Sequence, residues 1–131
     1  IKHFYKEGMT LRQICDWCRL LWTFRDTINK SLLVERLRSA GLMSEWRSFA
    51  SLAVNYLGMP TDAMPLFEKK ECWHRNAKQI INLILCGYKH NALLDSFAIA
   101  KIFPGNTIRF LPSILLNVNG LKIQERLFGR K

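Results

Sequence analysis

Apolar residues recur at helical spacing along most of the chain. From Leu11 they occupy positions 11, 14, 15, 18, 21 and 22, which is the i, i+3, i+4, i+7 recurrence of an amphipathic helix. Thr10 and Gln13 have the spacing of a capping box, and Met9 and Ile14 have that of a hydrophobic staple. The pattern therefore predicts a helix that begins at Leu11.

Three further helices are predicted on the same grounds at residues 31–40, 44–57 and 68–86, each followed directly by a glycine. Glycine adopts the left-handed conformation that commonly ends a helix. Residues 59–66, MPTDAMPL, contain two prolines and separate the third helix from the fourth. This segment is either a hinge or a long turn.

The remainder of the chain is also predicted to be helical. A fifth helix covers residues 92–102 and stops at Pro104 and Gly105, and a last helical region begins at about residue 106. No segment alternates polar and apolar residues with the period of a strand. The fold class is therefore all-α, an irregular bundle of five to seven helices, and 131 residues suit one domain spanning positions 1–131.

Composition agrees with a globular protein. Hydrophobic residues make up 49% of the chain and charged residues 23%, and no uninterrupted apolar run approaches the roughly 20 residues of a spanning helix. We expect a soluble, cytoplasmic protein with reduced thiols. Because the chain begins with Ile1 and shows no signal or transit peptide, we expect a fragment of a longer protein.

Positive charge is concentrated in the second half. Residues 66–131 carry eleven Lys and Arg against four Asp and Glu, whereas residues 1–65 carry nine against six, within a net charge of +10. Such a surface is either simply solvated or binds nucleic acid or an anionic membrane surface. The residues available for that contact are Lys69, Lys70, Arg75, Lys78, Lys122, Arg126, Arg130 and Lys131.

Two cysteines, Cys15 and Cys18, form a C-x-x-C inside the first predicted helix. This spacing occurs in metal and redox sites, but here both residues fall on the apolar stripe, and the other Cys and His residues are poorly spaced for zinc. We expect both cysteines to pack in the core and predict no metal site. The sequence also lacks a nucleophile elbow and a phosphate-binding glycine loop, so we predict no catalytic residue within this chain.

The first helix also carries a polar face. Arg12 and Asp16 are four residues apart and can pair, and Gln13 lies beside them. These groups are either an ordinary surface pair with a helix cap or side chains that face a cleft. The spacing alone leaves both interpretations open.

The order of motifs resembles that of a known family. His3, Gly8 and the stretch LRQICDW (residues 11–17) match H-x-x-x-x-G-x-x-L-R-Q-x-x-D-W, a segment of the uncharacterised nucleotidyltransferase family found in many bacterial polysaccharide-biosynthesis loci. SEWRSFASLAVNYLGMP (residues 44–60) is similar to that family's helix ending in Y-L-G-h-P, and IFPGNTIRFLP (residues 102–112) to its late P-G segment. The family's G-G-N-F-G segment is replaced here by CGYKHN (residues 86–91).

The resemblance implies that two halves of a protein have different functions. In the family, an upstream half carries a strand-borne aspartate pair that holds a divalent metal, Mg²⁺, against a nucleoside triphosphate. This chain would be the helical C-terminal, substrate-side or scaffold region, inactive alone, with the upstream catalytic domain as its partner and a nucleotide or sugar phosphate as substrate. The resemblance implies substrate-binding or interdomain roles for His3, Arg12, Gln13, Asp16 and Trp17.

Overall fold

The computed structural model describes residues 10–86 and 99–106. Within them the secondary structure is helical and contains no strand. There are four helices of ten or more residues and short helical stretches at residues 99–102 and 104–106, which gives six helical segments in the described residues. The predicted all-α fold is confirmed.

Contacts between residues divide the chain into two compact units. The first is Met9–Gly87, and the second is Ile1–Gly8 together with Tyr88–Lys131. Such a division is compatible with one folding domain or with two. A single domain for residues 1–131 therefore stays a prediction.

Helix α1, Leu11–Thr23, begins where the capping box predicts. The Thr10 hydroxyl accepts the backbone N–H of Gln13 at 3.4 Å, and the Thr10 N–H donates to Oε1 of Gln13 at 2.9 Å. Ile14, Cys18 and Leu21 form the buried stripe. The staple partner Met9 lies outside the described residues.

Helix α2, Lys30–Ser39, is capped by Asn29, whose side chain accepts the N–H of Leu32 at 3.0 Å. Leu37 is its buried residue. Gly41 follows with φ of +65°, in the left-handed region expected after a helix. The predicted helix is confirmed, with both ends displaced by one residue.

Helix α3, Met43–Leu57, lies at the centre of the first unit and contacts α1, α2 and the following helix. Eight of its nine residues from Glu45 to Ala53 are buried. It ends at Gly58, with φ of +73°, and the Met59 N–H closes the helix end on the carbonyl of Ala53 at 3.0 Å.

The segment after α3 is folded against the helices. Met59, Ala63, Met64 and Pro65 are buried. The indole N–H of Trp46, in α3, donates to the carbonyl of Pro65 at 2.9 Å. These contacts are those of an ordered turn, and a hinge at residues 59–66 stays a prediction.

Helix α4, Glu71–Leu85, begins three residues later than the predicted start at Glu68. Lys70 has φ of −124° and ψ of 140°, which is extended backbone, and residues 68–70 therefore lie before the helix. The carboxylate of Glu68 forms ion pairs with Arg47, earlier in the chain, and with Lys70. Ala77, Ile80 and Ile81 form the buried face of α4.

The second unit is described at residues 99–106. Ile99, Ile102 and Phe103 are buried, and the Phe103 N–H donates to the carbonyl of Ile99 at 2.9 Å. The predicted helix at 92–102 is thus seen at its last four residues, while residues 92–98 and the helical region predicted after residue 106 lie outside the described part. None of the described helices combines the length and apolar character needed to cross a membrane.

Candidate functional site

The polar face of α1 is exposed. Arg12 and Asp16 both face solvent, and no ion pair joins them in the described structure. The ion pair that their spacing allows is therefore absent, which leaves the guanidinium and the carboxylate without a partner among the described residues. The side chain of Gln13 is used differently, because its Oε1 is engaged by the N–H and the hydroxyl of Thr10 at 2.9 and 3.3 Å.

Trp17 belongs to the packing between helices. Its ring meets that of Trp46 edge to face, with ring centroids 5.2 Å apart and planes at 83°. Trp46 is buried and anchored by its hydrogen bond to Pro65. The half-buried Trp17 is thus positioned by α3 and the turn after it, and its role toward a substrate or domain stays a prediction.

The two cysteines of C-x-x-C lie in different environments. Cys18 is buried, and this burial, with a smaller contribution from Cys15, raises the pKa of its thiol to about 11. Cys15 is exposed, so the prediction that both pack in the core is wrong for this residue. The buried stripe runs through positions 14, 18 and 21, and position 15 is rotated beyond its edge.

His3, the remaining residue implied by the resemblance, lies outside the described residues, as do Lys122, Arg126, Arg130 and Lys131. The other four basic residues named from sequence, Lys69, Lys70, Arg75 and Lys78, are all exposed. They cluster in residues 69–78, the approach to α4 and its first two turns.

A charged cluster lies around residues 68–70, directly before α4. Glu68 forms ion pairs with Arg47 of α3 at 2.6 Å and with Lys70 at 2.9 Å, and it accepts the indole N–H of Trp73 at 3.4 Å. The hydrogen bond from Lys70 is the main cause that lowers the pKa of this carboxyl, supported by Trp73 and the charge of Arg47. Arg47 also lies over the Trp73 ring, 5.8 Å from its centroid.

An open groove lies beside this cluster, between the second half of α3 and the start of α4. Its volume is about 370 Å³. Aromatic, cationic and hydrogen-bonding side chains surround it, with one carboxylate among them. The lining residues are Ser51, Asn55, Phe67, Lys69, Lys70, Glu71 and His74.

Several polar groups of the groove keep free hydrogen-bonding capacity. The hydroxyl of Ser51, a residue only 2% exposed, accepts from Asn55 Nδ2 at 3.0 Å and donates to no described residue. The ammonium of Lys69 and the ring nitrogens of His74 likewise have no protein partner within the described structure. The His74 ring is itself fixed, because it stacks on Tyr56 with centroids 5.9 Å apart and planes at 13°.

Sequence reasoning missed this groove and one acidic residue. Lys69 and Lys70 were recognised only as surface charge, because the approach of α3 to α4 is a long-range contact with no local signal. Glu45 is fully buried in α3, where its carboxylate accepts the Ser44 hydroxyl at 2.8 Å. The sequence signal that could have indicated this burial was the position of Glu45 within the apolar stretch SEWRSFASLAVNYLGMP.

Within residues 10–86 and 99–106, no group of three or more His, Cys, Asp or Glu side chains is placed to hold a metal ion. Comparison of the chain with family models, curated proteins and solved structures finds no match. The nucleotidyltransferase resemblance consequently rests on the sequence motifs alone.

Proposed function

We propose that this chain is the helical, non-catalytic region of a nucleotidyltransferase-like protein, where it contacts an upstream catalytic domain and forms the substrate side of the cleft. The observation that carries the proposal is the exposed polar face of α1. Arg12 and Asp16 belong to the stretch LRQICDW that carries the resemblance, and neither charge is paired within the described chain.

The chemistry of Arg12 supports this role. A guanidinium is always charged and offers planar, paired donors to a phosphate or a carboxylate. Asp16, one helical turn further on, is an acceptor for a cationic or hydroxyl group of the same partner. In this proposal Mg²⁺ and the nucleoside triphosphate are held by the catalytic half, and the polysaccharide-biosynthesis role belongs to the intact protein.

The test is nucleotide transfer by a protein that carries this chain together with the proposed catalytic half. A charged hydrogen bond contributes about 1.5–3 kcal/mol, so Arg12→Ala is expected to lower transfer about tenfold or more. The thermal midpoint is expected to stay the same, because Arg12 is exposed. Arg38→Ala, at another exposed arginine outside the motif, is the matched control. Equal activity of the Arg12→Ala variant and the unmodified protein would show that Arg12 is not part of the site.

A second candidate function is a basic binding module for nucleic acid or an anionic membrane surface. It is favoured by the exposure of Lys69, Arg75 and Lys78 around the start of α4. Binding through such charges weakens steeply with salt, by about 10³-fold or more between 50 and 200 mM for six phosphate contacts. Titrations of oligonucleotides and of anionic vesicles at low salt test it, and no binding to either would exclude it.

A further inference from the structure

We infer that the groove between α3 and α4 binds a nucleoside phosphate, with Lys69 holding the phosphate and the aromatic lining holding the base. The proposed function assigns the nucleoside triphosphate to the catalytic half, so this groove is a second nucleotide site and goes beyond that function. Its lining lies entirely within this chain. It can therefore be tested without the catalytic half.

The cations of the groove suit a phosphate. Lys70 is already paired with Glu68 at 2.9 Å, whereas the ammonium of Lys69 is free among the described residues. An unpaired lysine beside a second, structurally fixed cation attracts an anion without breaking an existing ion pair. Glu71, the carboxylate in the lining, is an acceptor for hydroxyl groups such as those of a ribose.

The uncharged lining suits a flat ring with polar edges. Phe67 supplies an aromatic surface, and His74 is held in a fixed orientation by its stack on Tyr56. Aromatic side chains bind bases through their faces with little preference for sequence. The buried Ser51 hydroxyl has a proton to donate, which is the kind of fixed polar group that orients a ligand.

The size of the groove favours a small molecule over a polymer. Its volume of about 370 Å³ lies at the lower end of the roughly 300–1,000 Å³ usual for small-molecule pockets. One nucleotide fits such a space. The proposed ligand differs from a sugar phosphate in having a base for the aromatic lining, and it differs from a nucleoside in having a phosphate for Lys69.

The experiment is a calorimetric titration of the full chain with AMP and UMP, in parallel with adenosine, glucose 1-phosphate and inorganic phosphate. Lys69→Glu is the test variant, and Lys30→Glu is its control, since both lysines are exposed and only Lys69 lines the groove. The two variants carry the same net charge. Any difference between them therefore reports position and not overall electrostatics.

We expect at least one nucleotide to bind and Lys69→Glu to weaken it about tenfold or more, the effect of losing a charged hydrogen bond. Lys30→Glu should change the affinity less than about threefold, because an exposed charge away from the ligand is screened. Adenosine, glucose 1-phosphate and inorganic phosphate should each bind at least about tenfold more weakly than the better nucleotide.

Three results would overturn the inference. They are no nucleotide binding, the same effect of both lysine variants on affinity, and adenosine, glucose 1-phosphate or inorganic phosphate binding as tightly as a nucleotide. The transfer assay with Arg12→Ala is independent of this titration. Failure of the titration would therefore refute nucleotide binding by the groove without affecting the role proposed for Arg12.

Discussion

Replacing Trp46 with phenylalanine removes a hydrogen-bond donor from the contact between α3 and the turn that follows it. The indole N–H donates to the buried carbonyl of Pro65 at 2.9 Å, and Trp46 is only 8% exposed. Phenylalanine keeps an aromatic ring against Trp17 but cannot donate. The carbonyl of Pro65 then loses its partner in a site that excludes water.

The expected cost follows from these contacts. A lost hydrogen bond that leaves a buried acceptor unsatisfied costs about 1–3 kcal/mol, and the smaller ring leaves a void worth roughly another 1 kcal/mol. Trp46→Phe should therefore lower the free energy of unfolding by about 2–4 kcal/mol. With a urea m value of roughly 1–3 kcal/mol/M, the denaturation midpoint falls by about 0.7 M or more.

Urea denaturation followed by far-UV circular dichroism measures this change. Trp22→Phe is the matched control, because Trp22 is 45% exposed and its indole N–H donates to no described residue. That variant should cost less than about 1 kcal/mol. If the two substitutions destabilise the protein equally, the hydrogen bond to Pro65 does not hold the turn in the way we infer.

Two further predictions follow from the perturbed ionisable groups. At pH 8 a maleimide should label the three exposed thiols quickly and Cys18 only after denaturation. The reason is that a thiol with a pKa of about 11 carries little thiolate at that pH. Four rapid adducts detected by mass spectrometry would contradict the burial of Cys18. Because the pKa of Glu68 lies below its ordinary value of 4.5, the stabilisation from this carboxylate is present above that pH and disappears as pH falls through the folded-state pKa. The difference in unfolding free energy between the unmodified protein and Glu68→Gln should therefore vanish in acid, and a difference independent of pH would refute the ion-pair origin of the shift.

Local signals in the sequence predicted most of the helices well. The capping box of Thr10 and Gln13 fixed the start of α1, and Gly58 fixed the end of α3, because each depends on neighbours within one helical turn. The start of α4 was misplaced, since Glu68 lies before the helix, where it forms an ion pair with Arg47, twenty-one positions earlier. A contact at that separation leaves no trace in a short window.

The candidate site was less predictable than the fold. Periodicity located Cys18 in the core, but it could not give the width of the buried stripe, and so it misplaced Cys15. The groove requires α3 and α4 to approach each other, which brings Asn55 and Lys69 to one surface. Arg12 and Asp16 were chosen from the resemblance. The structure shows that both are exposed, and their role remains a proposal.

The burial of α3 also limits how this protein can vary. A typical amphipathic helix has an outer face on which substitutions accumulate freely, but α3 has almost no such face between Glu45 and Ala53. Ala50 and Ala53 have no exposed surface, so a larger side chain at either position would push neighbouring elements apart. Over evolutionary time, divergence should therefore collect on the outer face of α2 and at exposed positions of α1 other than Arg12 and Asp16, while α3 changes mainly through compensated pairs of substitutions.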